Sequence, residues 1–227
     1  MCRGKKLISA ILLAAGQSRR MGRDKLMLSW GEMTVLERCI QVLLRSEIGE
    51  VIVVLSAEAT DLGMRIKKYP SPMRKKIKII INPDYRRGMS TSIRRGLRNL
   101  CPKSEGILIA LGDQPLLKAK TVNALIRAFA EGEREIVVPL YHGRRGNPVL
   151  FDRWYAKGLM KLRGDTGGRS IIESHPENII KVQTRSEAVV KDMDTWGEYL
   201  KQRVRGERRK VRGKSKEAEV RAKRMGG

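Results

Sequence analysis

Few of the residues that build metal centres or disulfide frameworks are present in this chain. Its 227 residues include only three cysteines, Cys2, Cys39 and Cys101, and two histidines, His142 and His175. An odd number of cysteines with no close pair excludes a disulfide framework and a CxxC metal site. So few histidines disfavour a zinc centre or a catalytic site built from them. Unpaired thiols are typical of a cytoplasmic protein.

Aromatic residues and long apolar runs are also scarce. Phe, Trp and Tyr make up 4% of the chain, whereas hydrophobic residues make up 41%. We therefore expect an aliphatic core, and the sequence shows none of the aromatic patterns by which RNA-binding modules stack bases. No apolar run approaches the roughly 20 residues that cross a bilayer, so no membrane association is expected.

Acidic residues are in the minority, with 24 Asp and Glu against 48 Lys and Arg and a formal net charge of +24. Such a charge attracts anions, whether nucleic acid, phosphorylated small molecules or acidic protein surfaces. Residues 203–227 hold 11 basic and 3 acidic residues, so this segment carries +8 and the rest carries 24 − 8 = +16. We interpret 1–202 as one domain and 203–227 as a basic, flexible extension.

Strand and helix patterns alternate along the domain. Continuous Val, Ile and Leu runs separated by amphipathic helices predict a doubly wound, mostly parallel α/β sheet of Rossmann-like type. We also expect a small hairpin and helix insertion after the fifth strand, and helices that begin with capping boxes at Thr34 and Thr195. The predicted strands are 7–15, 50–56, 78–82, 106–113, 135–141 and 178–184, and the predicted helices include 59–69, 89–100, 118–132, 153–162 and one from Gly168.

The first apolar run has a second interpretation. Basic Arg3, Lys5 and Lys6 precede the run 7–15, as in a secretory signal peptide. Removal of 1–15 would delete the most apolar strand and leave a basic mature amino terminus. We therefore favour a buried strand.

A glycine-rich basic loop, GQSRRMGRDK, follows this strand at 16–25. Ligands of open α/β sheets bind beyond the carboxyl ends of strands, so the loop is well placed to hold an anion. Gly16 and Gly22 allow tight turns, and Arg20 and Lys25 add positive charge. The loop matches neither GxGxxG nor GxxxxGK[ST], and a plain basic surface loop is the alternative.

Carboxylates follow two later strands. Asp113, in LGDQPLL, ends a hydrophobic strand, where an unpartnered carboxylate would be costly. Mg²⁺ bridging nucleotide phosphates is its natural partner, although a turn cap is the alternative. Asp192 and Asp194, in VKDMDTW, share one face of a short extended stretch, with helix capping as their alternative role.

The motifs together resemble a known family. LAAGQSRRMGRDK is similar to the LAAGxSxRMGxxK signature of MobA-like nucleotidyltransferases, and looks most like the molybdenum cofactor cytidylyltransferases. The resemblance implies that this loop wraps the nucleotide triphosphate. Ala15 stands where the guanylyltransferases typically have a second glycine, which favours CTP over GTP. The implied nucleotide contacts here are Leu13, Ala14, Ala15, Gly16, Arg20, Gly22 and Lys25.

Further segments extend the resemblance to residues 7–200. NPDYRRGMSTS resembles NPxxxxGMxxS, which implies that Asn82, Gly88, Met89 and Ser90 read the base, although a plain helix cap is the alternative. GDQP and DMDT resemble the metal-binding motifs, which implies Asp113 and Asp194 as Mg²⁺ ligands. Arg20, Lys25 and Asp113 are the implied catalytic residues.

Two loops resemble the family's acceptor side, the motifs GxRGxPVLF and GDxGxR. They are HGRRGNPVLF at 142–151 and RGDTGGR at 163–169. Asn147 departs from the usual histidine, and a plain hairpin and a helix-start turn are the alternatives. The implied acceptor contacts are Arg145, Asn147, Asp165, Gly168 and Arg169.

The resemblance implies Mg²⁺-dependent transfer of CMP from CTP to the terminal phosphate of a molybdopterin-type cofactor, with release of pyrophosphate. An apo molybdoenzyme that receives the product is the implied protein partner. Four alternatives stay open: GTP as donor, a phosphorylated polyol or sugar as acceptor, a non-catalytic cofactor chaperone, and RNA binding through the basic tail.

Overall fold

The computed structural model describes residues 6–16, 25–57, 65, 69–130, 132, 134–193 and 195–204. Its strands are β1 Ile8–Ala14, β2 Ser29–Trp30, β3 Met33–Thr34, β4 Glu50–Ser56, β5 Ile77–Asn82, β6 Gly106–Leu111, β7 Ile136–Tyr141, β8 Arg144–Arg145, β9 Val149–Asp152 and β10 Ile179–Gln183. Its α-helices are α1 Val35–Leu44, α2 Ser71–Arg74, α3 Met89–Leu97, α4 Ala119–Ala130, α5 Ala156–Lys161, α6 Arg169–Ser174 and α7 at 196–204.

The main sheet has the order β10-β7-β9-β6-β1-β4-β5, with β8 added beside β7. β5, β4, β1 and β6 run parallel, as their continuous aliphatic sequences predict. β1 is central, because Ile11 pairs with Ile52 of β4 on one side and Ile109 of β6 on the other. The apolar run near the amino terminus therefore builds the middle of the sheet.

Helices cover both faces of this sheet. Ala10 and Leu12 face an aliphatic cluster that includes α1 and α4. Ile11, which points to the opposite face, packs with α3, α5 and α6. The doubly wound α/β fold predicted from the sequence is confirmed. No α-helix in the described ranges is long and apolar enough to span a membrane.

β9 takes a place that the hairpin pattern did not predict. It lies inside the main sheet and pairs antiparallel with both β6 and β7, where Phe151 faces Ile107 and Ile136. Val149, Leu150 and Phe151 are all buried, so the strand is apolar on both faces, as a central strand requires. The two-residue turn after Tyr141 joins β7 only to the short β8.

Both predicted capping boxes are present. The Glu37 amide donates to Thr34 Oγ1 at 3.2 Å, and the Thr34 amide donates to Glu37 Oε2 at 2.7 Å. Thr195 and Glu198 make the same exchange, at 3.2 and 2.9 Å, before α7. The predicted helix 59–69 lies mostly outside the described residues. So do residues 205–227, and the boundary at 202/203 stays a prediction.

A buried carboxylate ties strands together at the amino end of β4. Glu50 Oε1 accepts hydrogen bonds from Ser9 Oγ and the Cys101 amide, both at 2.6 Å, and Oε2 lies 2.8 Å from Lys78 Nζ. Burial by itself raises the pKa of Glu50, but the hydrogen bonds from Lys78, Ser9 and Cys101 outweigh it and lower the pKa below its ordinary value. The folded state therefore gains stability from Glu50 above the unfolded-state pKa and loses it as the pH falls through the lower folded-state pKa.

We expect Glu50→Gln to lower the free energy of unfolding at pH 7 by about 1–3 kcal/mol, because the charge-assisted hydrogen bonds are lost. The difference from the unmodified protein should start to shrink as the pH falls below about 4.5, the ordinary pKa of Glu50, and should vanish below the lower folded-state pKa. Urea unfolding at several pH values measures both effects. Glu32→Gln, at an exposed turn residue, is the control. A constant difference at every pH would contradict the assignment.

Candidate active site

The predicted nucleotide loop and the predicted metal motif meet at the point where the strand order reverses. From β1 the chain continues to β4, which lies beside β1 on one side, whereas β6 lies beside β1 on the other side. Ala15 and Gly16 follow β1, and Gly112 and Asp113 follow β6. The Gly112 amide donates to Leu13 O at 2.9 Å and holds the two strand ends together. Such a switch point is where open α/β sheets bind ligands.

Lys25 and Asp113 form the charged centre of this edge. Lys25 Nζ lies 2.6 Å from Asp113 Oδ2, and the two side chains are only 13% and 17% exposed. The other carboxylate oxygen, Asp113 Oδ1, is buried and has no hydrogen-bond partner in the part of the chain that the structure describes. A buried anionic oxygen without a partner is costly, so a cation beside it would be stabilising.

The buried oxygen Asp113 Oδ1 shows whether the residues of this site fit Mg²⁺. Mg²⁺ in nucleotide sites is held by one or two carboxylates, together with phosphate oxygens and water, and Asp113 supplies one such oxygen. Asp194, the second expected ligand, lies outside the described residues. The described ranges contain no group of three or more His, Cys, Asp or Glu that could hold a metal by itself. The donor set fits a metal whose coordination a nucleotide completes.

The thiol beside this carboxylate is unreactive. Cys39 Sγ donates to Gly112 O at 3.2 Å. Burial, and then the neighbouring charge of Asp113, raise the pKa of the Cys39 thiol far above its ordinary value. The thiol is therefore neutral at physiological pH and cannot serve as a nucleophile.

Of the predicted triphosphate loop 16–25, the structure describes only the two end residues, Gly16 and Lys25. Ala14 and Ala15 are buried and Leu13 is half-buried, so the end of β1 anchors the loop. Among the residues that the structure describes, no atom lies within 4 Å of a Cβ built on Gly16. Arg20 and Gly22 belong to 17–24, outside the described residues, and their phosphate contacts stay predictions.

Asn82 holds the predicted base-reading segment in place. Its side chain is fully buried, and Nδ2 donates to Thr91 Oγ1 and Ser92 Oγ, both at 2.9 Å. Its Oδ1 accepts from the Asp84 amide at 3.1 Å. These bonds engage both ends of the amide and tie the end of β5 to α3. Asn82 therefore stabilises the conformation of the segment 82–90 through buried hydrogen bonds.

Gly88, Met89 and Ser90 bring this segment to the start of α3. Gly88 has a φ of 106°, in the region that favours glycine. Met89 is half-buried, and Ser90 is fully buried. Ser90 Oγ has no hydrogen-bond partner within the described ranges, so it is a polar group that a ligand could satisfy.

The segment 163–169, predicted to contact the acceptor, lies directly against the segment predicted to read the base. Asp165 Oδ1 accepts from the Met89 amide at 3.0 Å, and Gly164 O accepts from the Ser90 amide at 3.2 Å. The two segments are 76 residues apart in sequence. The structure thus joins residues that the motifs assign to two different substrates.

The two arginines of the predicted acceptor side converge on one carboxylate. Arg169 Nε donates to Glu173 Oε1 at 2.7 Å, and Arg145 Nη2 lies 3.9 Å from the same oxygen. The hydrogen bond from Arg169 lowers the pKa of Glu173, and it raises the pKa of Arg169. The motifs did not identify Glu173, although its i,i+4 spacing from Arg169 is an available signal.

Gly168 and Asn147 have backbone roles in the predicted acceptor loops. A Cβ on Gly168 would lie 2.4 Å from the Phe151 ring, so packing requires glycine there. The Asn147 amide donates to Val189 O at 2.7 Å. Asn147 itself is half-buried.

Gln114 is a further residue that the motifs did not single out. It is 1% exposed, and its Nε2 donates to Asp192 Oδ1 at 2.8 Å and to Val189 O at 3.4 Å. Because Val189 O also accepts from the Asn147 amide, Gln114 connects the metal motif with the segment that carries Asp192 and with the acceptor side. Its place between Asp113 and Pro115 was the available signal.

A family model, the MobA-like NTP transferase domain, matches residues 10–179. Two curated relatives match nearly full length. The purine catabolism protein PucB of Bacillus subtilis is 30% identical over 83% of this chain and 92% of its own. The molybdenum cofactor cytidylyltransferase of Escherichia coli is 25% identical over 85% of this chain and 94% of its own.

Among solved structures, Rv0371c of Mycobacterium tuberculosis superposes with a TM-score of 0.73 at 25% identity, covering 88% of this chain and 98% of its own. A manganese complex of Rv0371c superposes with a TM-score of 0.68 at 24% identity, over 87% and 98% of the two chains. A match of the family model over most of the chain agrees with the strand order and with the polar groups at the switch point. The chain belongs to the MobA-like NTP transferase family and is a nucleotidyltransferase.

Proposed function

We propose that this enzyme transfers CMP from CTP to the terminal phosphate of a molybdopterin-type cofactor and releases pyrophosphate. The observation that carries the proposal is the ion pair of Lys25 with Asp113 at the switch point, at the edge where β1 and β6 end. Nucleotidyl transfer needs a place where phosphate charge is neutralised, and Lys25 supplies a positive charge that is largely shielded from water at that edge. The cytidylyltransferase of Escherichia coli, similar over nearly its full length, supports the choice of reaction.

Asp113 and Asp194 are the proposed metal ligands. These two carboxylates would hold Mg²⁺, which would supply positive charge to the phosphates during nucleotidyl transfer. The unsatisfied Asp113 Oδ1 supports the first ligand. The manganese complex of Rv0371c supports a divalent metal in a relative of the same fold.

The chain's own residues would position the substrate phosphates and neutralise their charge. Lys25, held at 2.6 Å from Asp113, is placed to donate to the leaving pyrophosphate, and Arg20 is the proposed second cation. An oxygen of the acceptor phosphate forms a new bond to the α-phosphorus of CTP in line. The bond from that phosphorus to the bridging oxygen of pyrophosphate breaks. The reaction depends on alignment of two anions more than on a protein base.

The nucleotide and the acceptor are the finer parts of the proposal. Ala15, buried at the end of β1, has a methyl group where the resemblance places a glycine in guanylyltransferases. This favours CTP. The Bacillus subtilis relative carries a name from purine catabolism, so a panel of acceptors belongs in the first assays. The free thiols of Cys39 and Cys101 favour a cytoplasmic location.

Replacement of Asp113 tests the catalytic centre. Asp113→Asn should lower pyrophosphate release from CTP, measured with purified molybdenum cofactor and Mg²⁺, by about 10³-fold, because the anionic metal ligand is lost. Asp152→Asn is the matched control, since Asp152 pairs with Gly106 at the opposite end of β6. Asp152 caps the 3-10 helix Arg153–Tyr155, and asparagine caps a helix as well as aspartate does. Circular dichroism checks that both variants are folded. Normal turnover of Asp113→Asn would contradict the assignment.

A nucleotide panel tests the choice of CTP. With Mg²⁺ and CTP at about 100 times its Kd, the melting temperature should rise by about 5–10 °C, because ligand binding stabilises only the folded state. GTP, UTP and ATP at the same concentration are the comparison. Stabilisation by GTP and not by CTP would overturn the cytidylyltransferase proposal and favour guanylyl transfer.

A further inference from the structure

The start of α3 is capped by another part of the chain. The first amide groups of any helix have no partner within it. The N-cap residue of α3 is Gly88, which has no side chain to supply one. Asp165 Oδ1 accepts a hydrogen bond from the Met89 amide at 3.0 Å, and Gly164 O accepts one from the Ser90 amide at 3.2 Å. The cap of α3 therefore belongs to the segment 163–168.

The same two backbones are in close packing contact. A Cβ on Gly88 would lie 2.3 Å from the carbonyl carbon of Gly164 and 2.7 Å from the Asp165 nitrogen. At its far end the segment is fixed as well, because Gly168 lies against the Phe151 ring. A displacement of 163–168 must therefore move Gly88 and the start of α3.

A buried polar group lies beside this contact. Ser90 is 0% exposed, and its Oγ has no hydrogen-bond partner among the residues that the structure describes. Its own amide is one of the two that the segment 163–168 satisfies. The position of Ser90 Oγ thus depends on the cap that Asp165 and Gly164 provide.

We infer that Asp165 is a positioning residue for the nucleotide, acting through the amide of Met89, and that it couples the base-reading segment 82–90 to the acceptor segment 163–169. This rests on the proposed function, in which Gly88, Met89 and Ser90 contact the base and 163–169 faces the acceptor. Because the two loops share hydrogen bonds and packing, a ligand that orders one loop favours the bound geometry of the other. The coupling works equally in both directions.

The test is CTP binding in the absence of any acceptor. A residue that only contacts the acceptor has no effect on this measurement, whereas a cap of α3 does. Isothermal titration with CTP and Mg²⁺ should give a Kd about fivefold higher for Asp165→Ala than for the unmodified protein. Asp165→Asn should restore the affinity, since its amide oxygen can accept the same hydrogen bond. Glu177→Ala, an exposed acidic residue nearby in sequence, is the control.

Hydrogen exchange of the nucleotide-free protein gives a second readout. The amides of Met89 and Ser90 should exchange faster in Asp165→Ala and at the normal rate in Asp165→Asn. Unchanged CTP affinity in Asp165→Ala, when the unmodified protein binds CTP, overturns the inference. So does unchanged exchange at both amides. If the unmodified protein binds no nucleotide at all, the proposed function fails instead, and the exchange rates still decide whether Asp165 caps α3.

Purified molybdenum cofactor measures the coupling itself. In the unmodified protein, saturation with the cofactor should lower the Kd for CTP, because each ligand favours the bound geometry of the other loop. In Asp165→Ala this change should be reduced, because the link between the loops is weakened. An identical change in both proteins would contradict the coupling between the two loops.

Discussion

The arrangement of this enzyme depends on one partly buried carboxylate at the end of a central strand. Asp113 follows β6, where its charge would be costly without compensation. Lys25 compensates one oxygen, and it reaches Asp113 because β1 and β6 are neighbours whose carboxyl ends lie at the same edge. The second oxygen is buried and has no hydrogen-bond partner in the part of the chain that the structure describes. The parallel pairing of two aliphatic strands thus determines where the chemistry can occur.

Hydrogen bonds extend from this centre across the site. Gln114 follows Asp113 and reaches Asp192 and Val189, and Val189 O accepts from Asn147 on the acceptor side. Asp165 makes the corresponding connection between the acceptor loop and α3. The site is therefore built from loops on a rigid sheet that are linked to one another by hydrogen bonds.

The sequence predicts the parts of this structure that depend on local chemistry. Aliphatic runs such as 50–56 and 106–111 identify buried parallel strands, and Thr34 with Glu37 identifies the start of α1. β9 was not predicted as a sheet strand, because a short apolar run after a turn has the same pattern in a hairpin and in a central strand. Its place is decided by pairing with β6 and β7. For the same reason no local pattern could predict the hydrogen bond from Met89 to Asp165.

The two charged sites differ in how firmly they are held. The pair of Lys25 and Asp113 is mostly shielded from water, so its geometry is fixed and its charges interact strongly. Arg145 and Arg169 both pair with Glu173 at the surface. The exposed fractions of the Arg145, Arg169 and Glu173 side chains are 33%, 78% and 54%, respectively. Ion pairs of this kind contribute little to stability, so an incoming phosphate can replace Glu173 at small cost. The fold thus provides a rigid centre, where we propose that the nucleotide phosphates bind, and an adjustable cationic surface, where we propose that the acceptor binds.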